Sequence, residues 1–328
     1  AEEWVNIMGR FISCWRMPLF FLLSGFFSIL VIEKKGILHF LRDRTIRVGL
    51  TCLVFSSLYD ISDGSFDYTT LHLWFLYELM ILVLVFSLLY KFKIIKDFLC
   101  MKVSPKILFI LALWLISTVP LAYILNHWWH PLSLKASTSY FDLKIGNLLY
   151  YFSYFVVGVI LYSNQNIFMK LKNTKTILIL SSLSLFAFLL RLYSDHLTIG
   201  QADNLRNVAQ MQFDPILVFF NACMIGTNSI LLCLLFIGIA SKFIQSDSLI
   251  IRWFVELSYP IYIVHLIPVT MMSAVFYQAE FSQFSIIPLA VITGFIISVF
   301  LYYLFIKFTP FNWLINGYSK SPLKIKLL

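Results

Sequence analysis

One arginine interrupts the apolar stretch WRMPLFFLLSGFFS, residues 15–28, and a Ser24-Gly25 pair follows it. A cation inside such a run is costly in hydrocarbon, faces a bundle interior or a wet cavity, and marks a site. Arg16 can therefore stabilise developing negative charge, with Ser24 as a candidate substrate ligand. A second group, LRDRTIRVG (residues 41–49), puts Arg44 and Arg47 at i, i+3 on one helical face with Arg42 beside them. Guanidinium forks match phosphate geometry, although a plain positive-inside anchor explains the same residues equally well. In HLWFLYEL (residues 72–79) His72 can move protons near neutral pH. Trp74 and Glu78 share a face at i, i+4, which sets the carboxyl roughly 10 Å below the outer interface by helical rise. A carboxyl at that depth calls for a partner, and Arg16, entering from the same side, is the expected one. Finally, LSYPIYIVH (residues 257–265) aligns Ser258, Tyr262 and His265 at i, i+4, i+7, between Pro260 and a following Pro268. That pattern suits a proton carrier or substrate ligands in a channel, or a histidine that simply ties two helices together.

These groups must be positioned by membrane helices. Of 328 residues, 60% are hydrophobic and 12% charged, in repeated apolar runs of the ~20 residues that a helix needs to cross a bilayer. Candidate spans cover about 11–32, 46–61, 71–91, 106–126, 145–163, 176–194, 214–240, 253–277 and 284–306, with a tilt or break expected near Gly226. The expected fold is an all-α polytopic transmembrane bundle of about nine helices, read as a single domain. Most of the 25 basic residues fall in alternate loops, among them Lys34, Lys35, Arg42, Arg44, Arg47, Lys91, Lys170, Lys242, Lys307, Lys320 and Lys326. Those loops are expected in the cytoplasm, with the C-terminus. The intervening loops carry Asp60, Asp63, Asp67, Asp142, Asp195, Asp203, Asp214 and Glu280 and are expected outside, where His127, Trp128, Trp129 and His130 could stack on sugar rings. The net charge of +9 is thus topological. It gives no reason to invoke nucleic acid, and a preference for anionic lipid headgroups of the bilayer accounts for the remainder.

By the same alternation residue 1 lies outside, although it is not a methionine and AEEWVN is not a signal peptide. An upstream helix entering from the cytoplasm is the favoured expectation, which would make about ten; cleavage after a signal sequence is the other. Cys14, Cys52, Cys100, Cys223 and Cys233 are scattered and read as apolar filler. No helix carries H-x-x-H or H-E-x-x-H, so no metal is expected.

The order Arg16-x-Pro18-Leu-Phe-Phe-x-x-Ser24-Gly25-Phe, Arg44-x-x-Arg47, Leu73-Trp74-Phe75-Leu76 and Ser258-x-x-x-Tyr262-x-x-His265 resembles the membrane-bound acyltransferase family 3. Within it, the closer likeness is to the periplasmic glucan succinyltransferase branch, with its FR-x-x-FF-x-x-SG-x-FS and HLWFL segments. The resemblance implies a multi-pass protein of the inner membrane, with about ten helices. It implies transfer of an acetyl or succinyl group from cytoplasmic acyl-CoA to a hydroxyl of an extracytoplasmic glycan, with no permanently bound cofactor. Arg44 and Arg47 then match the family's R-x-x-R motif and hold the donor phosphates. The family also carries an arginine and, about ten residues later, a catalytic histidine near its N-terminus. This sequence has no such pair: its first histidine, His39, lies in an expected cytoplasmic loop. His72 and His265 remain as substitute bases, His72 being better placed for an outer acceptor. A transporter or flippase for a lipid-linked sugar or organic acid would use the same Arg16, Glu78 and His265 as a path, but no inverted repeat accompanies them.

Overall fold

α1 runs unbroken from Glu3 to Lys35. It is followed by α2 (Ile37–Arg44), a π-helical turn (Thr45–Leu50) and α3 (Thr51–Ser62), which together make one rod. A 3-10 turn, Leu71–Leu73, leads into α4 (Trp74–Lys91). Then come α5 (Pro105–Leu125), α6 (Ile145–Ser163), α7 (Gln165–Leu171), α8 (Thr174–Ile199) and α9 (Pro215–Phe243). The remaining elements are α10 (Leu249–Val264), α11 (Leu266–Gln278), α12 (Gln283–Leu301), a second π turn (Tyr302–Ile306) and α13 (Phe311–Asn316). This computed structural model describes residues 3–62, 69–92, 103–127, 134, 137, 139–199, 214–244 and 248–317. Asp63, Asp67, Cys100, Trp128, Trp129, His130, Asp203, Lys320 and Lys326, named above, lie outside them. Among the described residues the only β-pairing is an isolated antiparallel bridge between Thr69 and Ser139.

The helix starts follow from side-chain caps. Ser104, Asp214 and Ser248 accept from the amides of Ile107, Ile216 and Ile251 at 3.3, 2.8 and 3.2 Å. Each satisfies a donor that the first helical turn cannot pair, and Pro105 and Pro215 fit where no amide is needed. Among the described residues seven helices are long and apolar enough to cross a membrane, or eight if α10 and α11, bent by 69°, count as one span. The chain is therefore an all-α polytopic bundle. The expected second span, 46–61, is the α2–α3 rod, whose last piece is only 12 residues long. The expected break near Gly226 is absent: α9 is continuous. A Cβ at Gly226 would lie 2.9 Å from Ile116 Cα, so the glycine serves close approach to α5.

The same device joins α1 to α6. A Cβ on Gly25 would lie 2.0 Å from the Phe155 carbonyl oxygen, and one on Gly158 would lie 1.9 Å from that of Leu22. Two glycines, one from each helix, let the backbones touch where lipid supplies no hydrophobic drive for association. Phe21 of α1 stacks on Tyr151 of α6 at 4.4 Å, which fixes the rotation of α1 against α6.

Candidate active site

Two motifs far apart in sequence meet at the α10–α11 bend. Pro268 has no N–H to continue the helical ladder. At the break, side chains take the carbonyls of Tyr262 and Ile263. His265 Nδ1 lies 2.6 Å from the Tyr262 carbonyl oxygen. His72 Nε2 lies 3.1 Å from that of Ile263, which also accepts the Tyr59 hydroxyl at 2.9 Å. A carbonyl can only accept, so these nitrogens carry the protons. His72 Nδ1 and His265 Nε2 are left with their lone pairs. The rings stand edge-on, 5.6 Å apart. His72 Nδ1 is buried, with no hydrogen-bond partner among the described residues. Tyr59 packs 5.2 Å from His72, and the Tyr262 hydroxyl donates to the His72 carbonyl at 3.0 Å. His72 lies just before the span that starts at Trp74. Burial first, and the neighbouring His265 ring second, outweigh the Ile263 carbonyl and lower its pKa to about 4. The ring is neutral at pH 7, as a general base requires.

Below this pair Trp74 lies 5.8 Å from Tyr151, and Phe75 packs on Tyr262 at 4.7 Å. Arg16 is exposed on α1, and its charge acts on both Tyr151 and Tyr262. The expected Arg16–Glu78 pair does not form. Glu78 is fully buried on α4 and accepts from Ser137 Oγ at 3.0 Å. Ser137 is carried inward by a segment that Thr70 bonds at its carbonyl and Tyr77 at the Tyr140 carbonyl. The carboxyl has thus found a neutral donor, and among the described residues Arg16 has no ion-pair partner. Ser24 Oγ donates to the Phe20 carbonyl at 2.8 Å. Ser258 is exposed and donates to Val255, so it stands apart from Tyr262 and His265.

At the other end of α3, Tyr259 donates to the Arg47 carbonyl at 2.5 Å. Arg47 Nε donates to the Ile315 carbonyl at 3.2 Å and Nη1 to Asp43 at 3.5 Å. Part of Arg47 therefore caps the C-terminus of α13, a favourable place for a cation. Arg44 lies 5.7 Å over Phe40. Burial, then the charge of Arg47, depresses its guanidinium below the usual range, although it stays cationic. Arg42 is exposed. Asp43 pairs with Arg47 and acts on Arg44 through its charge alone, so two adjacent guanidinium groups stand against one carboxylate. By helical rise this pair lies roughly 18 Å along the rod from Tyr59.

Sequence reasoning missed a second charged group. α8 continues to Ile199, so Asp195 is not an outer-loop acid but a fully buried helical residue. It pairs with Arg10 at 2.6 Å and lies 3.9 Å from Arg191 Nε. It also accepts from Asn221, while Arg191 donates to Cys14 Sγ. Arg10 in an apolar helix, like Arg16, was the available signal.

No curated protein and no solved structure matches the chain. A family model described as an acyltransferase domain does match, over residues 1–303. With its membrane-length helices, the chain belongs to the membrane acyltransferase family 3.

Proposed function

We propose that the protein lies in the inner (plasma) membrane with its C-terminus in the cytoplasm. There it transfers an acyl group from cytoplasmic acyl-CoA to a hydroxyl of an extracytoplasmic glycan. Arg44 and Arg47, with Arg42 at the rim, hold the donor phosphates, and the pantetheine arm carries the thioester along α3 towards His72. The acceptor hydroxyl attacks the thioester carbon as its proton passes to His72 Nδ1. The resulting oxyanion is stabilised by Arg16. Collapse breaks the C–S bond, and the thiolate leaves with the proton that His72 received, giving the ester and free CoA. His265 supports the neutral His72 ring, Glu78 and Trp74 shape the floor, and Tyr262 anchors the His72 backbone.

The observation that carries this reading is the fixed tautomer of His72. Its Nε2 is committed to the Ile263 carbonyl, which leaves Nδ1 with a buried lone pair that no described residue takes, in a member of an acyltransferase family. The acetyl or succinyl choice and the glycan acceptor rest on the resemblance to the glucan-modifying branch.

The full chain, purified in detergent, is titrated calorimetrically with acetyl-CoA and succinyl-CoA, alongside Arg44→Ala/Arg47→Ala. Because Arg47 also caps α13, Arg44→Gln is included to separate donor loss from misfolding. Donor binding lost in both variants supports the assignment. A folded wild-type protein that binds neither donor overturns it and moves transport of a lipid-linked substrate to the front.

A further inference from the structure

A groove of about 270 Å³ opens beside the histidine pair, lined by Phe55, Leu58, Tyr59, Ile267, Phe305 and Phe311 among others. Two irregularities of the backbone build it. The 69° bend at His265 swings α11 away from α10, and the second π turn, Tyr302–Ile306, sets Phe305 and Ile306 along the opposite wall. π turns recur at functional sites in helical proteins. Every lining side chain is apolar except Tyr59, and its hydroxyl is committed to the Ile263 carbonyl. Leu58, Ile267 and Phe305 are exposed, at 46%, 44% and 57%, on the surface that faces lipid.

Both ends of the groove are informative. At its inner end the Tyr59 ring lies 5.2 Å from that of the candidate base His72. Its length follows α3, the element that joins the Arg44/Arg47 end to the histidines. α13 lies along the first π turn and α3 in three successive contacts. Arg47 bonds the Ile315 carbonyl, Thr51 bonds the Leu314 carbonyl at 3.1 Å, and Phe55 meets Phe311 at 5.9 Å. The groove begins at the last of these. A thioester delivered along α3 to His72 therefore has an apolar slot next to its acyl carbon.

We propose that this groove receives the acyl chain of the donor, and that the preferred donor carries an apolar chain longer than acetyl. The proposal rests on the acyl-CoA reading above and narrows its substrate class. The volume is roughly nine times the ~30 Å³ that one water molecule occupies in the liquid, far more than a methyl group fills. A terminal carboxylate would meet no donor or cation there, and burying a charge without a partner is strongly unfavourable. Succinyl is therefore disfavoured relative to a butyryl chain of the same carbon count.

The test uses the full chain in nanodiscs, titrated with free CoA and with acetyl-, butyryl-, hexanoyl-, octanoyl- and succinyl-CoA, with empty nanodiscs as the blank. Affinity is expected to rise about two- to fourfold per added methylene until the groove is full, with succinyl-CoA binding more weakly than butyryl-CoA. Leu58→Trp, a change at a lipid-exposed position, should collapse the ratio of octanoyl-CoA to free-CoA affinity, while Leu58→Ala retains it. Free CoA that binds, with acyl esters of all lengths binding alike or an octanoyl ratio untouched by Leu58→Trp, overturns the groove while leaving the donor site standing. Free CoA and esters that all fail to bind a folded protein sink the donor site and the groove together.

Discussion

α1 carries two arginines, and their surroundings are opposites. Arg10 is paired at 2.6 Å with Asp195, which is itself 0% exposed and shared with Arg191 and Asn221. Arg16 has no ion-pair partner among the described residues and is exposed. A buried, hydrogen-bonded charge cluster joins α1, α8 and α9, and losing one member leaves the others desolvated without compensation. Arg16, exposed and outside any ion pair of the described residues, contributes nothing comparable to the fold. Within one helix, pairing rather than residue type marks the arginine that holds the scaffold, and the function proposed above gives the other to the chemistry.

The contrast can be broken from either side. The largest effect is expected for Asp195→Ala, which strands Arg191, 1% exposed. It should cost about 3–5 kcal/mol, read as a large fall in Tm and in recovery of monodisperse protein. Arg16→Gln should leave Tm nearly unchanged but reduce acyl transfer by about 10²–10³-fold, the scale for losing one oxyanion stabiliser. A fall in Tm matching that of Asp195→Ala would erase the distinction. His72 sharpens it through pH. With its pKa lowered to about 4 in the folded protein, transfer should lose its base only as pH falls through about 4. The unfolded chain binds that proton at about 6.5, so between pH 6.5 and 4 stability falls as pH falls. His72→Gln should flatten that slope and abolish transfer; an acid limb near pH 6.5 would place the base elsewhere. The smallest effect is expected for Cys14→Ala, which removes the Sγ partner of Arg191 at a cost of about 1 kcal/mol, seen as a modest shift in Tm with transfer intact.

Periodicity and run length were enough to read the helical bundle and most of its elements, because a span must satisfy its own backbone whatever its neighbours are. Arg16, His72, Tyr262 and His265 could be picked out because each places a polar group in an apolar run. Their grouping could not, since the His72–Ile263 bond joins segments on different helices. The Arg16–Glu78 expectation failed for the same kind of reason: charge alone suggested a pair, but Ser137, carried in by a connecting segment, reaches the carboxyl instead. Asp195 was misplaced because a helix end near a polar sequence is hard to locate. Nothing local reveals that Arg10 and Asn221 wait for it.

Tyr259 and Tyr262 lie less than one turn apart on α10, and their hydroxyls hold the backbone at Arg47 and at His72 respectively. α10 thus links the backbone at Arg47 to the backbone at His72 through a pair of phenols. If an anion draws the Arg47 backbone aside, α10 must rotate or surrender a hydrogen bond, and the lone pair of His72 is re-aimed in the same movement. Occupancy at one end is then thermodynamically linked to geometry at the other. Tyr259→Phe would sever that linkage while leaving both sets of charged and titrating groups in place.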